Sequence, residues 1–409
     1  MMNQPVDDMI SVAEAQAAVL AGVKALNAED VSVAECFGRV LAEDVASRMT
    51  QPPVAVSSMD GYAVRSEDVA SVPATLTLIG ESAAGGGFEG TLEAGQTVRI
   101  FTGAPVPDGA DAIVIQEDTD VDGASITMKE SSTKGRYVRP AGLDFSAGDT
   151  LLKSGKRLNS RDVALIAGMN VPWVSVTRRP RVAILSTGNE LVLPGEPLDR
   201  NQIISSNSIG LAAFVTAAGG QPVNLGIARD DAASLISKLE GIRSMDMLIT
   251  IGGASVGDYD LVKQVLGGEG MNITFSRVAM RPGKPLIFGE IHGTPMLGLP
   301  GNPVSAGVTA ALYLKPALEQ MLGLQRSGAA NETAVLGCDL AANDRRQDYL
   351  RSELSLNIDG ELTATPFPKQ DSSMLAVFSR ADCLVMRPPF AEAIAAGARV
   401  EIVRLDPSA

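Results

Sequence analysis

Between residues 178 and 323 the chain alternates strand-like and helix-like segments, and this alternation limits the fold more than any other feature. Residues 181–185, 222–227, 247–251, 272–278 and 286–288 are short runs that read as strands. Residues 208–218, 232–242, 259–266 and 303–322 carry helical patterning. Such alternation predicts a doubly wound, mostly parallel sheet with helices on both faces. The loops that follow the strands of such a sheet share one edge, and ligands bind there.

Acids and bases fall in those loops. The turns are Ser186-Thr187-Gly188-Asn189-Glu190, Arg229-Asp230-Asp231, the run from Gly252 and Gly253 through Ser255 to Asp258 and Asp260, Arg281-Pro282-Gly283-Lys284, and Gly298-Leu299-Pro300-Gly301-Asn302. The pattern predicts one crevice holding Glu190, Asp230, Asp258, Asp260, Arg281, Lys284 and the Asn302 helix start. Carboxylates are hard oxygen donors suited to Mg²⁺ bound together with phosphate. Glycine-flanked backbone N–H groups and a helix start suit an anion. Each motif also has a plain structural reading: Asp258 and Asn302 as N-caps, Arg281 and Lys284 as a solvated turn. Their combination favours the functional reading.

The rest of the chain divides around this domain. Residues 10–27 read as an amphipathic helix opened by a Ser11/Glu14 capping box, and helical patterning returns at 160–169. Residues 1–50 and 147–177 are therefore assigned to a helical N-terminal and linking region. Between them, 51–146 reads as an inserted β-rich module with strands at 74–79, 97–100 and 112–115, in which Gly85-Gly86-Gly87 is read as a hairpin loop. The α/β domain covers 178–324. Short segments beyond it, in 325–409, predict a small β-barrel-like domain.

Composition excludes several functions. A net charge of −14 disfavours nucleic acid and anionic membranes. Cys36, Cys338 and Cys383 give neither a disulfide framework nor a zinc spacing, and His292 is the only histidine, placed in a hairpin-like stretch. No apolar run is long enough to span a bilayer, and Asp7 and Asp8 stand where a secretory signal would be basic and apolar. A cytoplasmic location is expected.

Segments 57–64, 102–107, 186–191, 252–260, 280–285 and 298–305, taken together, closely resemble the molybdopterin molybdenumtransferase family, to which the last domain of gephyrin also belongs. The motifs are co-linear over nearly the whole chain; past residue 325 only Gln370-Asp371-Ser372-Ser373-Met374-Leu375 resembles a family motif. The resemblance implies a Mg²⁺-dependent enzyme that joins molybdate to the dithiolene of adenylylated molybdopterin and releases AMP and molybdenum cofactor. The metal-binding sulfurs then belong to the substrate, so Cys and His ligands are not needed. It implies Asp60, Thr102, Asp144 and Glu190 as catalytic residues and Asp230 and Asp260 as Mg²⁺ ligands. Arg139, Gly252, Gly253, Ser255, Arg281, Lys284, Asn302 and Ser372 are implied in substrate binding. Arg277 and Arg281 stand where some members carry Lys, and Asp371 replaces a Gly often seen before Ser372. A homodimer is implied, with the β-rich module of one subunit facing the α/β domain of the other. Molybdopterin adenylyltransferase and molybdoenzymes are implied partners. The rival readings are an adenylyltransferase acting on free molybdopterin, and a gephyrin-like binding scaffold without catalysis.

Overall fold

The computed structural model describes residues 9–239, 241–252, 271–325 and 332–405. The α/β domain is built on a sheet in the order Gln221–Ala228, Arg181–Thr187, Met247–Ile251, Thr294–Leu299, Ile287–Ile291, Asn272–Phe275. Neighbours among the first four pair in parallel. Ile287–Ile291 runs antiparallel to both its neighbours. Met247–Ile251 is buried at every position, as a strand covered on both faces must be. The strand beside it shows why: Val182 and Ile184 enter one apolar cluster, with Leu211 and Val215 of helix Ser206–Ala217. Ala183 and Leu185 enter the other, with Leu235 of helix Ala232–Lys238. The helix expected at 259–266 lies outside the described residues.

One strand departs from the sequence reading. Residues 286–288 are expected to close the alternation, but Ile287–Ile291 is half of a hairpin whose other half, Thr294–Leu299, is the fourth parallel strand. His292 and Gly293 form its turn with φ of 52° and 85°, the positive values a two-residue hairpin requires. Pro295 and Gly298 hide this strand in the sequence, since both are depleted in strand interiors.

The helical run that follows comprises Pro303–Thr309, a π-helical stretch Ala310–Leu314, and Lys315–Met321. Pro316 has no N–H to offer the carbonyl of Leu312, so the helix must locally rewind there. The Gln16 side chain donates to that carbonyl at 3.1 Å. Gln16 lies on helix Val12–Ala21, whose Ser11–Glu14 capping box forms as expected. Sequence order groups this helix with the N-terminal region, yet its Val12, Ala15 and Val19 sit in the core of the α/β domain. The linking region has a separate core that includes Leu41, Phe145, Leu158, Ile166 and Val176.

The inserted module carries a mixed six-stranded sheet. Strands Ala74–Ser82 and Gln96–Ile100 pair in parallel, so Gly85-Gly86-Gly87 lies in a crossover and not in the hairpin expected. The last domain closes as a five-stranded barrel, Gln347–Leu356, Leu362–Pro366, Thr333–Leu336, Arg399–Arg404 and Cys383–Arg387, the last pairing back to the first. A sixth, two-residue strand, Met280–Arg281, comes from the α/β segment and joins the barrel at Gln347 and Asp348.

Candidate active site

The C-terminal ends of three of the parallel strands, Arg181–Thr187, Met247–Ile251 and Thr294–Leu299, border one cavity of about 740 Å³, lined by Ser186, Thr187, Glu190, Gly252, Pro285, Gly301, Asn302 and Ser373, among others. Backbone hydrogen bonds and glycines bring these loops together. Gly252 donates its N–H to the Leu299 carbonyl at 3.1 Å. It has φ +89°, and a Cβ there would lie 2.8 Å from the Thr187 carbonyl oxygen. Only glycine permits that approach. Gly301 lies against it in turn, its Cβ position 3.7 Å from the Gly252 Cα. Gly253, Ser255, Asp258 and Asp260 lie outside the described residues.

Two predicted acids stand on adjacent strand ends. The backbone N–H of Asn189 donates to the Asp230 carboxylate at 3.1 Å, and the Asp230 N–H donates to the Asn189 side-chain oxygen at 3.3 Å. This clip ties the first loop to the second. Glu190 follows Asn189, and its carboxylate folds back over Gly188, where a Cβ would come within 2.5 Å of Oε2. No group of three His, Cys, Asp or Glu able to hold a metal occurs among the described residues. Glu190 and Asp230 are hard oxygen donors, the chemistry that a Mg²⁺ ion takes from a protein when it keeps several waters and phosphate oxygens.

The opposite wall comes from the barrel domain. Asn302 precedes helix Pro303–Thr309, but its side chain does not cap that helix. It donates instead to Ser372 Oγ at 3.0 Å, and the Val304 N–H donates to the Ser372 carbonyl at 3.1 Å. The helix start expected to face an anion therefore has one N–H already engaged by a distant loop. Asp371 accepts from the Ser373 N–H and hydroxyl at 2.8 and 2.6 Å, and the hydroxyl and backbone bonds hold its carboxyl below the usual range.

Arg281 is expected at the parallel-sheet edge and is found on the barrel seam. Its Nε donates to Asp348 Oδ1 at 2.9 Å and its Nη2 to Oδ2, which raises the guanidinium pKa. Lys284 follows in the same turn, and the next residue, Pro285, lines the cavity. One residue has no sequence signal. Arg351 is fully buried beside the 369–373 loop; its Nε and Nη1 have no partner, and burial pushes its pKa down. Gln370 bonds to both its backbone N–H and its carbonyl. A buried guanidinium with unused donors is costly unless an anion meets it. In sequence, Arg351 looks like any polar position on a strand.

The remaining predicted residues gather elsewhere, in the inserted module. Asp60 accepts from the Thr102 N–H at 2.7 Å and from its hydroxyl at 2.8 Å, and these bonds hold the carboxyl below its ordinary value. Arg139 and Asp144 line a second cavity of about 600 Å³ together with Gly85, Gly86 and Gly103. They do not form an ion pair with each other. Within one chain the described predicted residues thus fall into two groups, one at the parallel strand ends and their barrel-side wall and one in the inserted module.

Residues 10–169 match the MoeA N-terminal region (domain I and II), 183–320 a probable molybdopterin binding domain, and 333–405 the MoeA C-terminal region (domain IV). A molybdopterin molybdenumtransferase of Nostoc sp. is 40% identical over 79% of this chain and 76% of its own length. Molybdopterin molybdenumtransferase 2 of Mycobacterium tuberculosis is 35% identical over 96% of this chain and 99% of its own. A crystal structure of the molybdopterin biosynthesis MoeA protein of Pyrococcus horikoshii superposes with a TM-score of 0.85 at 31% identity, covering 97% of this chain and 99% of that one. Nearly full-length identity of this order, together with a shared fold, places this chain in the molybdopterin molybdenumtransferase family.

Proposed function

We propose that this protein transfers molybdenum from molybdate to the dithiolene of adenylylated molybdopterin, with Mg²⁺ required and AMP and molybdenum cofactor released. The observation that carries this reading is the convergence of Glu190, Asp230, Gly252 and Asn302 at the parallel strand ends. Glu190 and Asp230, with Asp260, would hold Mg²⁺. The ion would supply charge neutralisation at the pyrophosphate oxygens. Lys284 and Arg281 would hold phosphate or the incoming oxyanion. The backbone around Gly252 would approach the pyrophosphate closely, because no side chain stands between them. The bond broken is the phosphoanhydride, with water as the nucleophile and AMP as the leaving group; two oxo groups of molybdate depart as water, taking up the two protons of the dithiol and two from solvent, when the dithiolene sulfurs bind the metal.

Asp60, Thr102, Arg139 and Asp144 belong to the other group, and we assign them to the same reaction in a homodimer. The module of one subunit would bring them to the crevice of its partner. Asp60, kept ionised by Thr102, would orient molybdate or water near the dithiolene. The protein is expected to act in the cytoplasm, receiving its substrate from a molybdopterin adenylyltransferase and passing its product to molybdoenzymes. Among the described residues, no helix is long and apolar enough to cross a membrane.

The test is AMP release by purified protein supplied with adenylylated molybdopterin. AMP should appear only when both molybdate and Mg²⁺ are present, and a chelator should stop it. Substrate binding without AMP release under those conditions would remove the enzymatic reading.

A further inference from the structure

We propose that Asp348, on the barrel, is a positioning residue for the reaction: it sets the direction of the Arg281 guanidinium. Asp348 is only 4% exposed, whereas the Arg281 side chain is 48% exposed. Its two carboxylate oxygens take the Nε and Nη2 donors of Arg281 as a fork. The register is fixed by backbone pairing, Arg281 opposite Asp348 in the added strand and Asp348 opposite Arg387 on its other side. The turn that follows is closely packed: Gly283 has φ +110°, and a Cβ there would lie 2.7 Å from Thr309 Cγ2 and 3.0 Å from Met280 Cε.

A guanidinium carries donors along more than one edge. Asp348 takes the Nε–Nη2 edge and leaves the Nη1–Nη2 edge for a second anion. Nη1 is ion-paired with Asp344 at 3.8 Å without a hydrogen bond, so an anion binding at this edge would have to compete with that carboxylate. A Lys at this position has no second planar edge, so the carboxylate partner is matched to the Arg of this chain. The barrel would thereby contribute to oxyanion recognition through a residue that does not touch the oxyanion.

This inference rests on the transferase reading. Its test compares Asp348→Asn, Arg281→Lys and the double variant with the unaltered protein in the AMP-release assay, with thermal unfolding measured in parallel. Each single variant should raise the KM for molybdate about tenfold, the order expected for losing one charge-assisted hydrogen bond, with kcat within about threefold. The double variant should be no worse than Arg281→Lys alone, because both changes break one unit. Additive effects, or an Asp348→Asn variant altered only in thermal stability, would overturn the proposal. Should Asp348→Asn not fold, Arg281→Lys decides alone: an unchanged KM for molybdate overturns it. Absence of turnover in the unaltered protein would instead count against the transferase reading.

Discussion

Replacing Gly252 with Ala probes the backbone convergence on which the crevice depends. Gly252 has φ +89°, so any L side chain costs about 1–2 kcal/mol for the left-handed backbone alone. The new Cβ would also sit 2.8 Å from the Thr187 carbonyl oxygen. Both are backbone-anchored atoms at the ends of paired strands, so neither can rotate aside. Overpacking of this kind adds about 1–3 kcal/mol. A matched control exists in the same domain: Gly195 has φ +91°, and a Cβ there would meet nothing within 4 Å. Gly195→Ala should cost about 1–2 kcal/mol and Gly252→Ala about 2–5 kcal/mol. The gap of about 1–3 kcal/mol corresponds to roughly 2–12 °C in the unfolding temperature of a domain this size. Calorimetry on both variants measures it, and turnover should fall only in Gly252→Ala. Equal unfolding temperatures would refute the close approach of the Thr187 and Gly252 loops.

Two further outcomes follow from the hydrogen-bond geometry. Thr102→Val removes the hydroxyl donor to Asp60 and keeps the backbone one, so the Asp60 carboxyl should rise part of the way toward its ordinary value. Asp60 then protonates sooner as pH falls, and the acid limb of kcat/KM should move to higher pH while the alkaline limb stays; an unmoved acid limb would count against an ionised Asp60. Asp246 accepts both guanidinium ends of Arg178 and the Arg181 N–H. Asp246→Ala leaves these donors unsatisfied where the linking region meets the first parallel strand, and should cost about 2–4 kcal/mol in urea unfolding.

Much of the crevice is legible in the sequence because it depends on local rules. Glu190, Asp230, Gly252 and Asn302 each follow a segment that had to be a strand or its hairpin partner, and parallel topology places such positions on one edge. The strand at Met247–Ile251 coincides with its predicted bounds because an unbroken apolar run of that length fits a buried strand. Thr294–Leu299 stays hidden because Pro295 and Gly298 weaken its local signal, and only pairing with Met247–Ile251 and Ile287–Ile291 makes it a strand. Arg281 shows the same limit from the side of the site. Its turn chemistry is readable, but its assignment to the barrel comes from pairing with residues 347 and 348, far along the chain.

The sequence by itself determined the α/β alternation, the turns that carry acids and bases, and the capping box that starts the first helix. These depend on side-chain period and on φ preferences within a few residues. Only the tertiary structure decided that Ser372 occupies the Asn302 amide, that Arg351 is buried with two of its donors unpartnered, and that Asp348 holds Arg281. Those arrangements depend on residues tens of positions apart, and their energy comes from desolvation and hydrogen-bond geometry, which no local pattern encodes.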